Sequence, residues 1–294
     1  LSSSGAVELD APLLLDRYRP TKLLARGASA LVFLGWDTVL GRNVAIKLFR
    51  TYTVESMDAF RDEVRVLAAL NHHGVVAIND MGLDRSSADE PRPFLIMEFV
   101  RGMTLRERLR ERRPTTTEIG ELGFEIAEAL EYVHAQGVIH RDITPSNIML
   151  VDYGAALSRT RARLTDFGIA IAVGTKHEQG QPTEGTPAYL SPEQASGWSL
   201  TPASDIYSLG LVLLECFTGV IAFPGDAVSS ALARLSSDPE IPETVPVRWA
   251  ELLRRMTSRD PAGRPAAPEL ATDIRRTLRD SGRHTDTGPS DADK

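Results

Sequence analysis

The spacing of apolar residues changes character once along the chain. From Tyr18 to about Glu98, short runs rich in β-branched and aromatic residues predict strands at Val32–Gly35, Val44–Phe49, Val75–Asn79 and Phe94–Phe99. One segment breaks this alternation: over Ser56–Leu70, the residues Phe60, Val64, Leu67 and Leu70 recur at helical spacing. After Gly102 the helical period takes over. Glu118–Gln136 puts Leu122, Ile126, Ala129, Leu130 and Val133 on one face, and Gly137 is a natural C-cap. Two short strands are expected around Ile148–Val151 and Arg163–Thr165. Further helices are expected at Ala203–Phe217, Ala227–Leu235, Ala250–Met256 and Ala267–Leu278. The pattern predicts an α+β, bilobal architecture: a small β lobe with one helix over about 16–99, then a larger α-helical lobe over about 102–279. A cleft is expected where the two meet, a favoured place for ligands. Residues 1–15 open on a Ser/Gly stretch and read as a flexible leader. The polar tail 280–294 lacks large apolar residues and is expected to be disordered.

Composition narrows the class. A chain of 294 residues can bury a sizeable core, and 42% hydrophobic with 25% charged residues is ordinary for a soluble enzyme. A net charge of −7 argues against nucleic acid as a partner, because nothing neutralises phosphates at scale. No apolar run reaches the roughly 20 residues needed to span a bilayer, and no signal peptide is visible. The chain is therefore expected to be cytoplasmic and to make no membrane contact of its own. It opens at Leu1 rather than Met, so it is expected to be a piece of a longer protein, and an anchor elsewhere stays open. Cys216 is the single cysteine, which excludes an intrachain disulfide and suits a reducing compartment. Within Leu209–Phe217 it reads as a small buried hydrophobe.

Four segments carry candidate chemistry. Leu24–Val32 (LARGASALV) lies between two apolar stretches that would pair as a hairpin. Its central Gly27 would let backbone N–H groups approach phosphate oxygens, although an ordinary hairpin also accounts for one glycine. Lys47 ends the strand Val44–Lys47 (VAIK) and is one of only four lysines, with Lys22, Lys176 and Lys294. Such a lysine can act as a point charge on phosphates if a carboxylate holds it, and Glu63 on the following helix offers one. A solvated surface pair is the competing reading. The most specific segment is Val138–Leu150 (VIHRDITPSNIML), where His140–Asp142 fits H-R-D and Asn147 follows five residues after Asp142. Further on, Asp166–Gly168 supplies D-F-G. Asp142 can accept or orient the proton of an attacking hydroxyl. Asn147 and Asp166 offer hard oxygens to magnesium. Chance polar residues do not account for this ordered set.

Together these segments resemble a eukaryotic-like (Hanks-type) protein kinase domain of the bacterial Ser/Thr branch, over roughly Tyr18–Leu278. The resemblance implies a protein-kinase-like fold with an antiparallel β lobe, the cofactors ATP and Mg2+, and protein substrates with Ser or Thr acceptors. It makes Asp142, Lys47, Glu63 and Thr144 the catalytic positions and Asn147 and Asp166 the metal positions. Around the nucleotide it places Leu24, Ala25, Gly27, Ala30, Val32, Ala45, Lys47, Glu98, Val100 and Met149. Ala25, Gly27 and Ala30 stand where the family has three glycines. Phe94–Val100 (FLIMEFV) resembles the hinge, with Met97 as gatekeeper and the backbone of Glu98 and Val100 toward adenine. Val32, Ala45 and Met149 would sandwich the ring. Gly185–Glu193 (GTPAYLSPE) resembles the substrate-facing loop, Asp205–Gly210 opens the central helix, and Arg264 stands where the family places a buried partner for Glu193.

The sequence departs from that pattern at Thr144, where Ser/Thr kinases usually carry a lysine that contacts the γ-phosphate. Losing that cation should remove transition-state charge stabilisation. The stretch Asp152–Arg163 also looks longer than usual. Arg141 suggests control by phosphorylation of the Gly174–Thr186 region, with Thr183 ranked ahead of Thr175, and a homodimer would allow trans-autophosphorylation. Two rivals share the resemblance: a pseudokinase-type scaffold that binds nucleotide with little turnover, and a small-molecule phosphotransferase. The GTPAYLSPE segment argues against the second. A P-loop NTPase is excluded because no G-x-x-x-x-G-K-[ST] occurs.

Overall fold

The alternation before Glu98 is realised as an antiparallel sheet in a computed structural model, which describes residues 12–27, 29–50, 57–85, 91–151, 161–167 and 186–283. The strands are β1 (Tyr18–Arg26), β2 (Ala30–Asp37), β3 (Arg42–Phe49), β4 (Ile78–Asp84) and β5 (Arg92–Glu98), in the order β1-β2-β3-β5-β4. Residues opposite each other in an antiparallel ladder share a face, so the register sorts the side chains. Phe33 pairs with Ile46, Ile46 with Ile96, and Leu48 with Phe94. With Leu14, Tyr18 and Val44 these form one apolar cluster. The opposite face carries Ala25 across from Val32, Val32 across from Lys47, and Ala45 across from Met97. Helix α1 (Met57–Ala68) sits on this second face through an edge-to-face contact of Phe60 with Phe49, ring centroids 5.5 Å apart. Its buried stripe is Met57, Phe60, Val64 and Leu67, as helical spacing requires.

In the first unit, two departures from the sequence reading bear on the sheet. The strand expected at Val75–Asn79 begins only at Ile78 and runs to Asp84. Val75 and Val76 are buried, but Val75 N–H donates to the His72 carbonyl (3.0 Å) and closes a turn instead. The polar string Ile78–Asp84 still pairs because it is the edge strand, where Tyr18 Oη donates to Asp80 (2.9 Å). Order also begins within the expected leader: Leu14 is buried in the sheet core and its N–H donates to the Tyr18 carbonyl at 2.9 Å.

The described residues gather into two units, one within 12–101 that also takes in Asp166 and Phe167, the other within 102–165 and 186–283. In the second, β6 (Gly102–Thr104), β7 (Ile148–Val151) and β8 (Arg161–Leu164) form a small antiparallel sheet. The helices are α2 (Leu105–Glu111), α3 (Thr116–Ala135), α4 (Pro192–Ala195), α5 (Pro202–Thr218), α6 (Ala227–Ser236), α7 (Val247–Met256) and α8 (Ala267–Arg283). Helix α8 continues past the boundary expected at 279. Helix α2 escaped the sequence reading because only Leu105 of its seven residues is buried. Its available signal was the capping box, in which Thr104 and Glu107 bond each other's backbone N–H. Helix α5 is buried without a break from Ser204 to Cys216, so it forms the centre of this unit. Helices α3 and α8 approach closely at Gly120, where a Cβ would lie 2.3 Å from Leu278. Among the described residues, no helix is long and apolar enough to cross a membrane.

Candidate active site

In the first unit the sheet face opposite the Tyr18 cluster gathers Ala25, Val32, Ala45, Lys47 and Met97, because period-two spacing and register put them on one side. Lys47 is 9% exposed, and its Nζ lies 2.9 Å from Asp166 Oδ1. Burying such a charge is costly unless it is paired, and the ion pair is with Asp166, where Glu63 was the carboxylate expected to hold the lysine. Asp166 adopts φ +60°, a left-handed backbone that costs a non-glycine residue free energy and is better tolerated by Asp than by most. Three residues beyond Phe60, Glu63 lies half-buried beside the stripe that seats α1 on the lysine-bearing face. At the hairpin, Gly27 N–H donates to the Ala30 carbonyl (2.9 Å), and a Cβ at residue 27 would lie only 3.3 Å from that oxygen. Leu24 stays exposed. Glu98 closes β5 with its N–H on the Ala77 carbonyl at 2.9 Å, and Val100 follows half-buried.

In the second unit, the loop Val138–Asn147 is held by a carboxylate that the sequence reading assigned only to the start of a helix. Asp205, 1% exposed in the first turn of α5, accepts from His140 N–H (2.8 Å) and Arg141 N–H (2.9 Å). His134 Nε2 lies 2.8 Å from the same carboxylate. The pull on these two amides coincides with φ +69° at Arg141, whose carbonyl accepts from Gln194 Nε2 at 2.7 Å. The fully buried His140 ring lies 3.1 Å from the Thr165 carbonyl. Beyond this clamp, Asn147 donates its amide to both the Asp142 carbonyl (2.9 Å) and Asp142 Oδ2 (2.8 Å). That fixes the carboxylate's orientation and commits the amide nitrogen, so the amide oxygen is the donor Asn147 can offer a cation. Thr144 is 4% exposed, with its carbonyl capping Asn147 N–H at 3.0 Å. Met149 lies on β7, half-buried.

Farther along, Glu193 and Arg264 form the ion pair expected of them, at 2.6 and 3.0 Å, with side chains 4% and 0% exposed. Burial alone would raise the Glu193 carboxyl. The bonds from Arg264 and Ser204 outweigh it and hold the group below its ordinary pKa. A second buried cluster went unread: Arg106 binds Glu215 (2.5 Å), and Tyr189 Oη bonds both. The only signal for it was a charged residue inside the apolar run of α5.

The magnesium assignment fits the donor chemistry. Asn147 and Asp166 present amide and carboxylate oxygens, the hard donors this ion takes. Among the described residues, no group of three or more His, Cys, Asp or Glu could hold a metal by itself. Magnesium characteristically keeps waters and substrate phosphates alongside one or two protein ligands, so neither residue needs a cluster of carboxylates around it. Gly168, Thr175 and Thr183 lie outside the described residues.

Residues 18–273 match the model of the protein kinase domain. Among curated proteins, the chain is 37% identical over 276 residues to a serine/threonine-protein kinase PknB of Mycobacterium leprae, covering 90% of this chain and 43% of the relative. It is 40% identical over 235 residues to the Mycobacterium tuberculosis protein of that name, covering 77% and 36%. It is also 38% identical over 246 residues to a probable serine/threonine-protein kinase PknB of Lactococcus lactis, covering 78% and 37%. The chain thus spans about two fifths of the length of these relatives. With the catalytic-loop geometry and a domain match over most of its length, the chain belongs to the protein kinase family.

Proposed function

We propose that this domain transfers the γ-phosphate of magnesium-bound ATP to serine or threonine hydroxyls of protein substrates. The observation that carries the reading is the Asp142 carboxylate, held at 2.8 Å by Asn147 on a loop whose backbone is fixed by Asp205. An oriented carboxylate can align an acceptor hydroxyl and take its proton as the new O–P bond forms and the bond to the ADP leaving oxygen breaks. Lys47, held by Asp166 in this structure and with Glu63 on α1 as a second carboxylate for it, places a positive charge on the α- and β-phosphates. Bound magnesium would neutralise phosphate charge, with Asn147 and Asp166 as its protein ligands. Ala25, Gly27, Ala30 and Val32 line the phosphate and ring positions, with Leu24, Ala45, Glu98, Val100 and Met149 completing the nucleotide contacts. The names of the bacterial relatives support serine and threonine as acceptors.

Regulation by autophosphorylation between Gly174 and Thr186, in trans within a homodimer, belongs to the same reading, as does a cytoplasmic site of action. Incubation with labelled ATP, Mg2+ and a basic protein substrate tests it. Phosphoserine and phosphothreonine should appear, and Asp142→Asn should lower kcat by about 10²–10⁴ while ATP binding persists. Equal transfer by the two proteins would remove Asp142 from this role, and ATP binding with no transfer by the wild type would leave a nucleotide-binding scaffold.

A further inference from the structure

Helix α6 is seated the wrong way round for an amphipathic helix. Its buried residues are Ser230 and Arg234, while Val228 and Leu232 are 67% and 61% exposed. Its attachment therefore depends on polar contacts, and Arg234 makes most of them. Its side chain is fully buried, and each of its five N–H donors has an acceptor. Nε donates to the Ser230 carbonyl at 3.0 Å, and Nη2 to Ser230 Oγ and the Pro187 carbonyl, both at 2.6 Å. Nη1 reaches the carbonyls of Ala188 (3.4 Å) and Leu190. Ser230 Oγ in turn donates to the Phe223 carbonyl at 2.9 Å, and the guanidinium lies over the Phe223 ring. Among the described residues no carboxylate pairs with this guanidinium, and burial holds its pKa below the ordinary value.

A buried, uncompensated cation is a poor device for stability alone. What it does is collect backbone. The remaining carbonyl of that stretch, Tyr189, accepts from Ser208 Oγ at 2.7 Å, so all four carbonyls from Pro187 to Leu190 are bound by side chains. The stretch has little regular structure of its own, only the 3-10 turn Thr186–Tyr189, and side-chain donors fix its path.

Taken with the kinase reading, on which this rests, we propose that Arg234 is a positioning residue for the protein substrate. It shapes the Pro187–Leu190 shelf against which the acceptor-bearing chain lies. Arg234 makes no part of the nucleotide or metal set, so its loss should weaken acceptor binding and spare ATP. In the full 294-residue chain, Arg234→Met should raise KM for a basic protein substrate about tenfold or more, with KM for ATP and the slow hydrolysis of ATP by water within about twofold. Arg234→Lys has three donors for five acceptors and should fall between. Ser230→Ala releases one donor and should shift KM in the same direction by a smaller factor; it carries the test if Arg234→Met does not fold. Ile274→Val, a buried change elsewhere in the second unit, controls for lost stability. Unchanged acceptor KM in a folded Arg234 or Ser230 variant overturns the proposal, and so does an equal rise in Ile274→Val at matched loss of Tm. A wild-type chain that transfers phosphate to neither protein nor water overturns the kinase reading and this inference with it. Transfer by wild type with no effect of the variants removes only the role of Arg234.

Discussion

The two units hold their candidate residues by different physics. In the first unit they are written into strand register: Ala25, Val32, Ala45 and Lys47 share a side because alternate residues of paired strands must. The sheet's backbone ladder does the positioning, and the side chains are passengers on it. The second unit has no such scaffold for its candidate residues. Its loop carries Arg141 at φ +69° and is held by side chains bonding backbone: Asp205 on two amides, Asn147 on Asp142, Gln194 on the Arg141 carbonyl. A functional side chain on a strand can be replaced without disturbing its neighbours. A clamp residue in a loop cannot, because it is the local structure.

That contrast can be broken most severely at Asp205. Asp205→Ala leaves two buried amide donors without their acceptor, so unfolding in urea should show a loss of about 3 kcal/mol or more. The same variant should lose most phosphoryl transfer, since Asp142 rides on the loop. If it is stable and active, the clamp is not what holds the loop. Lys47→Met is the counterpart on the sheet. It should lower kcat/KM for ATP by about 10²–10³, as removing one preorganised positive contact does, with a smaller loss of Tm than Asp205→Ala, because Asp166, left without its partner, is still partly exposed to solvent. An equal drop in Tm would show that the first unit is also held by its functional residues.

Acid offers a milder comparison, because each unit has a carboxylate held below its ordinary pKa. In the first it is Asp37, fully buried and bonded by Arg17 at 2.8 Å and by the N–H groups of Val39 and Leu40. In the second it is Glu193. A depressed folded-state pKa contributes stability that is present above the unfolded value, near 4, and is lost as pH falls through the folded one. Stability should therefore be flat above about pH 5 and decline below about pH 4. Glu193→Gln should remove part of that acid dependence along with much stability, because it leaves the Arg264 charge buried and unpaired. The smallest expected effect is at Thr144. Thr144→Lys should raise kcat a few-fold, with KM for ATP changing less, if the missing cation limits transfer. An unchanged or inactive variant would mean that this buried position is built around threonine.

Legibility followed the same division. Strands, the long helices and the order of the motifs were readable because periodicity and spacing are properties of the chain alone. Lys47, Asp142, Asn147 and Asp166 stood out by residue type and interval. The clamp was not readable as such: Asp205 lies 65 residues from His140, and nothing local links a carboxylate at a helix start to a loop amide. Arg234 was hidden more deeply, since an arginine on a helix with Val228 and Leu232 reads as the solvated face and is instead fully buried. The strand expected at Val75–Asn79 runs instead over Ile78–Asp84, because an edge strand needs pairing more than apolar alternation.

Cys216 gives the molecule an internal reporter. It is the chain's single cysteine, and it lies within the unbroken buried run of α5, with burial pushing its thiol far from the reactive thiolate form. A soluble thiol reagent can reach it only when the centre of the second unit opens. Its labelling rate would then count those openings directly, without an added probe, and nucleotide or substrate that tightens that unit would register as slower labelling.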